Sequence, residues 1–280
     1  MLLVYYKDIS KMNAITKHLQ QELEADRNIE LAFLFGSYAT GKNMKESDLD
    51  IAVYLKDKTK EKSVWRKIQQ SLPKEVDMVL LNEAPATFIS NVLKTGLPLI
   101  IKNKKKYLQF LVTKSLEAED FGEFATGYWN ITKRSRSLSP EDKTRLLERL
   151  DFLQSEMREL IIMQKISAFE YENDKTKRRN IERWAENILN AMIDVAKIIL
   201  ASQKKEMPKT YEAALSTFGA FAGLSKEESE KLASLARLRN MLAHEYLDIL
   251  FGKIQEFIRD FPKIYAKISR PIEKYIQSGR

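Results

Sequence analysis

The hydrophobic period changes once along these 280 residues, and that change constrains the fold most. Up to about residue 131, short strand-like apolar runs alternate with helical stripes. Beyond Ser139 only helical stripes remain. The chain therefore reads as an α+β unit over residues 1–135, with a trailing helix, then an all-α helical bundle over 136–280. The break is expected between Ile131 and Ser139, inside the polar, Ser-rich stretch Thr132–Pro140. Ser139-Pro140-Glu141 then has the form of a helix start, with a Ser cap, Pro in the first turn and acids behind it.

In the first part, Asp8–Ala25 carries a helical stripe and Leu31–Phe35 is a continuous apolar run ending at Gly36. Asp48–Leu55 reads as a second strand, Lys60–Leu72 as a helix closed by Pro73, and Glu75–Leu81 as a third strand. A helix over Ala84–Leu93, a short strand at Leu97–Ile101 and a helix over Tyr107–Trp129 follow, giving a small mixed sheet. In the second part, helices are expected from Ser139 through Ile161, over Lys175–Ala201, Tyr211–Phe218 and Ser225–Tyr246, and from Leu247 to Tyr275 with a bend at Pro262. Ser225 and Glu228 have the spacing of a capping box.

The second strand carries chemistry. Asp48 and Asp50 are two residues apart, so both carboxylates point to one face. Neighbouring carboxylates repel unless a cation joins them. Closely spaced oxygen ligands suit Mg²⁺, which completes its shell with water and substrate phosphates. Gly36 lets backbone approach a ligand, and Ser37 adds a hydroxyl and an N–H. A helical turn over Tyr38–Gly41 would aim free N–H groups at an anion. Asp77 interrupts the apolar run of the third strand.

Gly36-Ser37, ten residues, then Asp48-Leu49-Asp50 resembles the nucleotidyltransferase superfamily of DNA polymerase β and kanamycin nucleotidyltransferase. The compact unit is most similar to the minimal nucleotidyltransferases. The resemblance implies Mg²⁺ or Mn²⁺ on Asp48, Asp50 and Asp77, with ATP or another NTP held by Gly36, Ser37 and Ser47. It also implies that the third carboxylate takes the proton of the attacking hydroxyl. The other reading of Asp77 is an edge-strand carboxylate facing water.

Composition narrows the classes. Cysteine is absent and histidine occurs twice, which leaves no disulfide framework, no thiolate zinc site and little room for a histidine metal centre. His18, beside the first helical stripe, is expected to be a surface or packing residue. No apolar run reaches membrane-spanning length and Met1–Tyr6 is too short for a signal-peptide core, so a cytoplasmic protein without a membrane partner is expected. A net charge of +8 fits a polyanionic partner such as NTP or RNA.

In the helical part, Arg239-Asn240 is followed by His244 and Tyr246. This spacing resembles the HEPN family, over roughly Pro140–Phe261. An imidazole titrating near neutrality and a guanidinium holding phosphate can together cleave RNA without metal. Five residues turn a helix by about 500°, leaving Arg239 and His244 about 140° apart, so one chain does not easily aim both at one point. A homodimer through the HEPN domain is the expected solution. The paired resemblance, minimal nucleotidyltransferase followed by HEPN, implies a toxin–antitoxin arrangement in which AMP is transferred to Tyr246 to silence the ribonuclease. Two other functions fit the same residues. One is a small-molecule nucleotidyltransferase resembling the kanamycin enzyme, in which Arg239, His244 and Tyr246 are structural. The other is a non-catalytic nucleotide- or RNA-binding module.

Overall fold

The computed structural model describes residues 14–41, 47–134, 138–244 and 251–279. The chain divides into two compact units, Met1–Ala118 and Glu119–Arg280.

The first unit holds α1 (Ala14–Ala25), β1 (Ile29–Leu34), α2 (Gly36–Thr40), β2 (Leu49–Leu55), α3 (Glu61–Ser71), β3 (Val76–Leu80), α4 (Ala86–Thr95) and β4 (Leu97–Ile101). The four strands form one sheet in the order β3-β2-β1-β4. β1 runs antiparallel to β2 and β4, while β2 and β3 are parallel, so the sheet is mixed as expected. The parallel pair needs a crossover, and α3 supplies it.

Apart from Glu30, which pairs with Lys106, β1 is apolar because both its faces are covered. Leu31 and Phe33 pack with Ile89, Val92 and Leu93 of α4. Ile29, Ala32 and Leu34 pack with Leu19 and Leu23 of α1 and with Val64 and Ile68 of α3. Burying Phe33, which is 1% exposed, contributes about 2–3 kcal/mol. β2 differs. Leu49, Ile51, Val53 and Leu55 enter the α1–α3 core, while Ala52 and Tyr54 face the other way. Asp50 shares the Ala52 and Tyr54 face by the strand period.

A long helix, α5 (Lys104–Arg134), spans both units. Packing divides the chain within this helix, at Ala118/Glu119. The reason is apolar: Phe121, Phe124, Tyr128 and Ile131 belong to the core of the second unit. That unit continues with α6 (Pro140–Met163), α7 (Ala168–Asn173), α8 (Lys175–Ser202), α9 (Tyr211–Phe221), α10 (Lys226–His244) and α11 (Phe251–Ser278). α8 is its centre, burying Trp184, Ile188, Met192, Val195 and Ile199 among others.

The cap chemistry read from the sequence is present. Ser139 accepts the backbone N–H of Asp142, with Pro140 opening α6. Ser225 and Glu228 bond reciprocally at 3.0 and 3.2 Å ahead of α10. α7 carries its own Ser167–Glu170 capping box and is additional to the helices the stripes predict. α11 continues through Pro262 and Pro271 as one helix. His18 is exposed, with Nε2 3.1 Å from the Ser71 carbonyl. Among the described residues, no helix is long and apolar enough to cross a membrane.

Candidate functional site

The first site lies where β1 turns into β2. Gly36 opens α2 with φ +68°, a backbone region that favours glycine. It also has no room for a side chain, because an added Cβ would stand 2.9 Å from Asp50 Cγ. Glycine is thus demanded twice, by conformation and by the Asp50 carboxylate pressed against the turn. Phe35 N–H donates to the Asp50 carbonyl at 2.9 Å, which fixes the turn on β2. Gly41, with φ +71°, closes α2 and donates its N–H to the Ser37 carbonyl. The helical turn therefore begins at Gly36 rather than at Tyr38.

Asp50 and Asp77 are register partners in the parallel pair β2–β3. Side chains opposite one another in register share a face, and Asp48, two residues earlier, shares it too. Asp48 and Asp77 are exposed and Asp50 is half-buried. Burial raises the Asp50 carboxyl above its ordinary value, and the charges of Asp77 and Asp48 raise it further. Three carboxylates on one face, one of them half-buried and raised by its neighbours' charge as well as by burial, are a donor set suited to a divalent cation. Among the described residues, no three Asp, Glu or His side chains are gathered at ligand spacing, so the acids share a face without closing on a point. Ser47 adjoins them, and its carbonyl accepts from Lys74 Nζ at 3.0 Å. Lys74 also lies over the Tyr38 ring, 5.3 Å from its centroid.

The second site lies inside the helical unit. Arg239 of α10 is 8% exposed. Its Nε donates to Asn190 Oδ1 of α8 at 2.7 Å, and its Nη1 donates to Asp120 Oδ2 of α5. Its guanidinium carbon stands 5.0 Å from the centroid of the Tyr211 ring. Nη1 also reaches Asn240 Oδ1, at 3.5 Å. His244, the last residue of α10, brings Nε2 to 3.5 Å from the same Asp120 oxygen. That separation is an ion-pair distance and too long for a good hydrogen bond, and the buried Nε2 makes none.

The expected angular separation of Arg239 and His244 therefore does not keep them apart within one chain. Asp120, on another helix, meets both side chains. Burial would raise the Asp120 carboxyl, but His244 and Arg239 outweigh it and hold it at about 2. Burial also opposes the Arg239 charge, and Asp120 more than restores it. Burial pushes the Tyr211 hydroxyl up, with the Asp120 charge adding to it. Tyr246 lies outside the described residues.

Asp120 and Asn190 are not among the residues expected at the site, and Tyr211 is expected only as the start of a helix. Asn190 had a legible signal. With Asp194 and Lys197 it forms a polar stripe, four and then three residues apart, on an otherwise apolar stretch of α8. Asp120 had a weaker one, as a carboxylate four residues before Phe124 on a helix face that turns out to be buried.

Known proteins match both units. Residues 17–105 match the family model described as Polymerase beta, Nucleotidyltransferase, and residues 146–270 match Ribonuclease HepT-like. Protein adenylyltransferase MntA of Shewanella oneidensis is 32% identical over 87 residues, which cover 30% of this chain and 60% of that protein. A crystal structure of a toxin–antitoxin with AMP-PNP is 25% identical and covers 40% of this chain and 96% of its own, with a TM-score of 0.33. A structure of tri-AMPylated Shewanella oneidensis HEPN toxin in complex with MNT antitoxin is 22% identical and covers 40% and 97%, with a TM-score of 0.30. Both scores are too low to bear on function. The family matches place a polymerase β-type nucleotidyltransferase domain in residues 17–105 of this chain and a HepT-like HEPN domain in residues 146–270.

Proposed function

We propose that the first domain is a metal-dependent adenylyltransferase that modifies Tyr246 of the second and thereby silences RNA cleavage at Arg239 and His244. The observation that carries the reading is the three-carboxylate face beside the Gly36 turn, with Asp50 raised by burial and then by its acidic neighbours. The match to a protein named as an adenylyltransferase supports the choice of AMP as the transferred group.

Asp48, Asp50 and Asp77 would hold Mg²⁺ or Mn²⁺, which when bound neutralises phosphate charge and steadies the leaving pyrophosphate. Gly36 and Ser37 offer close backbone and a hydroxyl to the triphosphate, and Ser47 borders the same place. The Tyr246 oxygen forms a bond to the α-phosphorus of ATP. The bond to the bridging oxygen breaks, and pyrophosphate leaves with that electron pair. Asp77, exposed on the same face, takes the phenol proton. The AMP on Tyr246 adds bulk and negative charge two residues from His244, where an RNA phosphate would bind. A homodimer through the HEPN domain, RNA as the target and a cytoplasmic setting complete the reading.

Intact mass after incubation with ATP and Mg²⁺ tests it. One adenylyl increment is expected, lost in Tyr246→Phe and in Asp48→Ala. An unmodified wild-type protein, or an increment that persists in Tyr246→Phe, overturns the assignment of the acceptor. RNA cleavage is expected to rise in Asp48→Ala and to disappear in His244→Ala.

A further inference from the structure

In a metal-free ribonuclease site the guanidinium must meet a phosphate and the imidazole must reach the reacting oxygens. Neither group is placed for that here. Arg239 is engaged along Nε by Asn190, at Nη1 by Asp120, and over its face by Tyr211. His244 Nε2 is buried and directed at the same Asp120 oxygen. Carboxylate and phosphate are the same kind of ligand for a guanidinium, an anionic oxygen pair taking charge-assisted hydrogen bonds. Glu186 of α8 adds a second negative charge acting on Arg239. Asp120 sits on α5, between the two matched segments, which end at residue 105 and resume at 146.

We propose that Asp120 is an internal competitor of RNA phosphate, filling the anion position of Arg239 and holding the Arg239–His244 pair closed until it is displaced. The proposal rests on the reading of the second domain as RNA-cleaving. An orienting role for Asp120 would leave the guanidinium free to take a substrate phosphate. Here one carboxylate oxygen bonds Arg239 and stands 3.5 Å from His244 Nε2, and the Arg239 charge is answered before RNA arrives. Asp120 stays ionised at any physiological pH, so protonation does not open the site.

The test uses the full chain and a fluorescein-labelled single-stranded RNA with 2′-O-methyl riboses, which cannot be cleaved. By anisotropy, Asp120→Asn is expected to bind it about tenfold tighter than wild type, and Asp120→Asn/Arg239→Ala to lose that gain. Equal affinities, or a gain that survives Arg239→Ala, overturn the proposal. If Asp120→Asn does not fold, wild type is treated with phenylglyoxal and mapped by mass. Arg239 is expected to stay unmodified while Arg183, whose side chain is 70% exposed, reacts, with or without the RNA. Modification of Arg239 at the Arg183 rate overturns the proposal. An unmodified RNA separates the two readings. Tighter binding by Asp120→Asn without cleavage keeps the occlusion and removes the ribonuclease. Wild-type cleavage that needs His244, with no change in Asp120→Asn, keeps the ribonuclease and removes the occlusion.

Discussion

Two carboxylates, Asp50 and Asp120, show how differently the two units treat negative charge. Asp50 is raised by burial and by two further acids on its own sheet face. Asp120 is more deeply placed, yet His244 and Arg239 bring it down to about 2. Among the described residues, the first site has no cation paired with its acids. The second answers its charge internally, with a guanidinium and an imidazole drawn from one helix. Equal residue types thus make a site that invites a cation and a site that excludes an anion.

The comparison breaks first at the acidic face. Asp48→Ala is expected to lower adenylyl transfer by about 10³-fold, followed by mass over time. A loss of only a few-fold would mean that the acids are not gathered around a shared charge. Arg239→Ala should be the most destabilising single change in the second unit. It strands Asp120 in a buried place, and about 3–5 kcal/mol is expected from urea unfolding. Arg239→Ala costing less than Phe218→Ala, where a fully buried ring is removed, would show that Asp120 finds another partner.

Acid sharpens the contrast, because the two carboxylates respond with opposite signs. Asp120 is depressed in the folded state, so its stabilisation is complete above the unfolded carboxyl value of 3.8 and is lost as pH falls through about 2. About 2 kcal/mol should disappear over that window, and Asp120→Asn should flatten the profile. Asp50 is raised, so folding gains as pH falls through its folded value towards 3.8, and Asp50→Asn removes that gain. The smallest effect is that of added Mg²⁺ on the melting temperature. An increase equivalent to about 1 kcal/mol is expected in wild type and none in Asp50→Asn.

Much of the architecture is legible in the residues. The Leu31–Phe35 run announces β1 because both faces are covered there, and the caps at Ser139 and Ser225 are local chemistry that needs no tertiary information. Gly36, Asp48 and Asp50 are readable from strand period and Gly-Ser spacing, while Asp77 stands out only as a charge in an apolar strand and is tied to the pair by the family resemblance. The unit boundary is harder. α5 is a single helix, and nothing in its period says that Tyr107 packs in one core and Phe121 in another. Asp120 is harder still, because its partners lie 119 and 124 positions away and no local pattern couples a carboxylate to a guanidinium across that distance. The helical-wheel angle misjudged Arg239 and His244 for a related reason. It places Cα atoms, whereas the meeting is made by long side chains and by a residue from another helix.

The register of β2 against β3 has an evolutionary corollary. Asp77 meets Asp50 only because Val76, its neighbour, is turned into the core. The crossover segment between the strands can grow or shrink without disturbing that pairing, provided it still delivers Val76 to Leu49. A single codon inserted between Val76 and Asp77 would roll the acid to the oily side and a hydrophobe to the wet one. Descendants of this sequence should therefore tolerate length variation freely before Val76 and hardly at all across the next five positions.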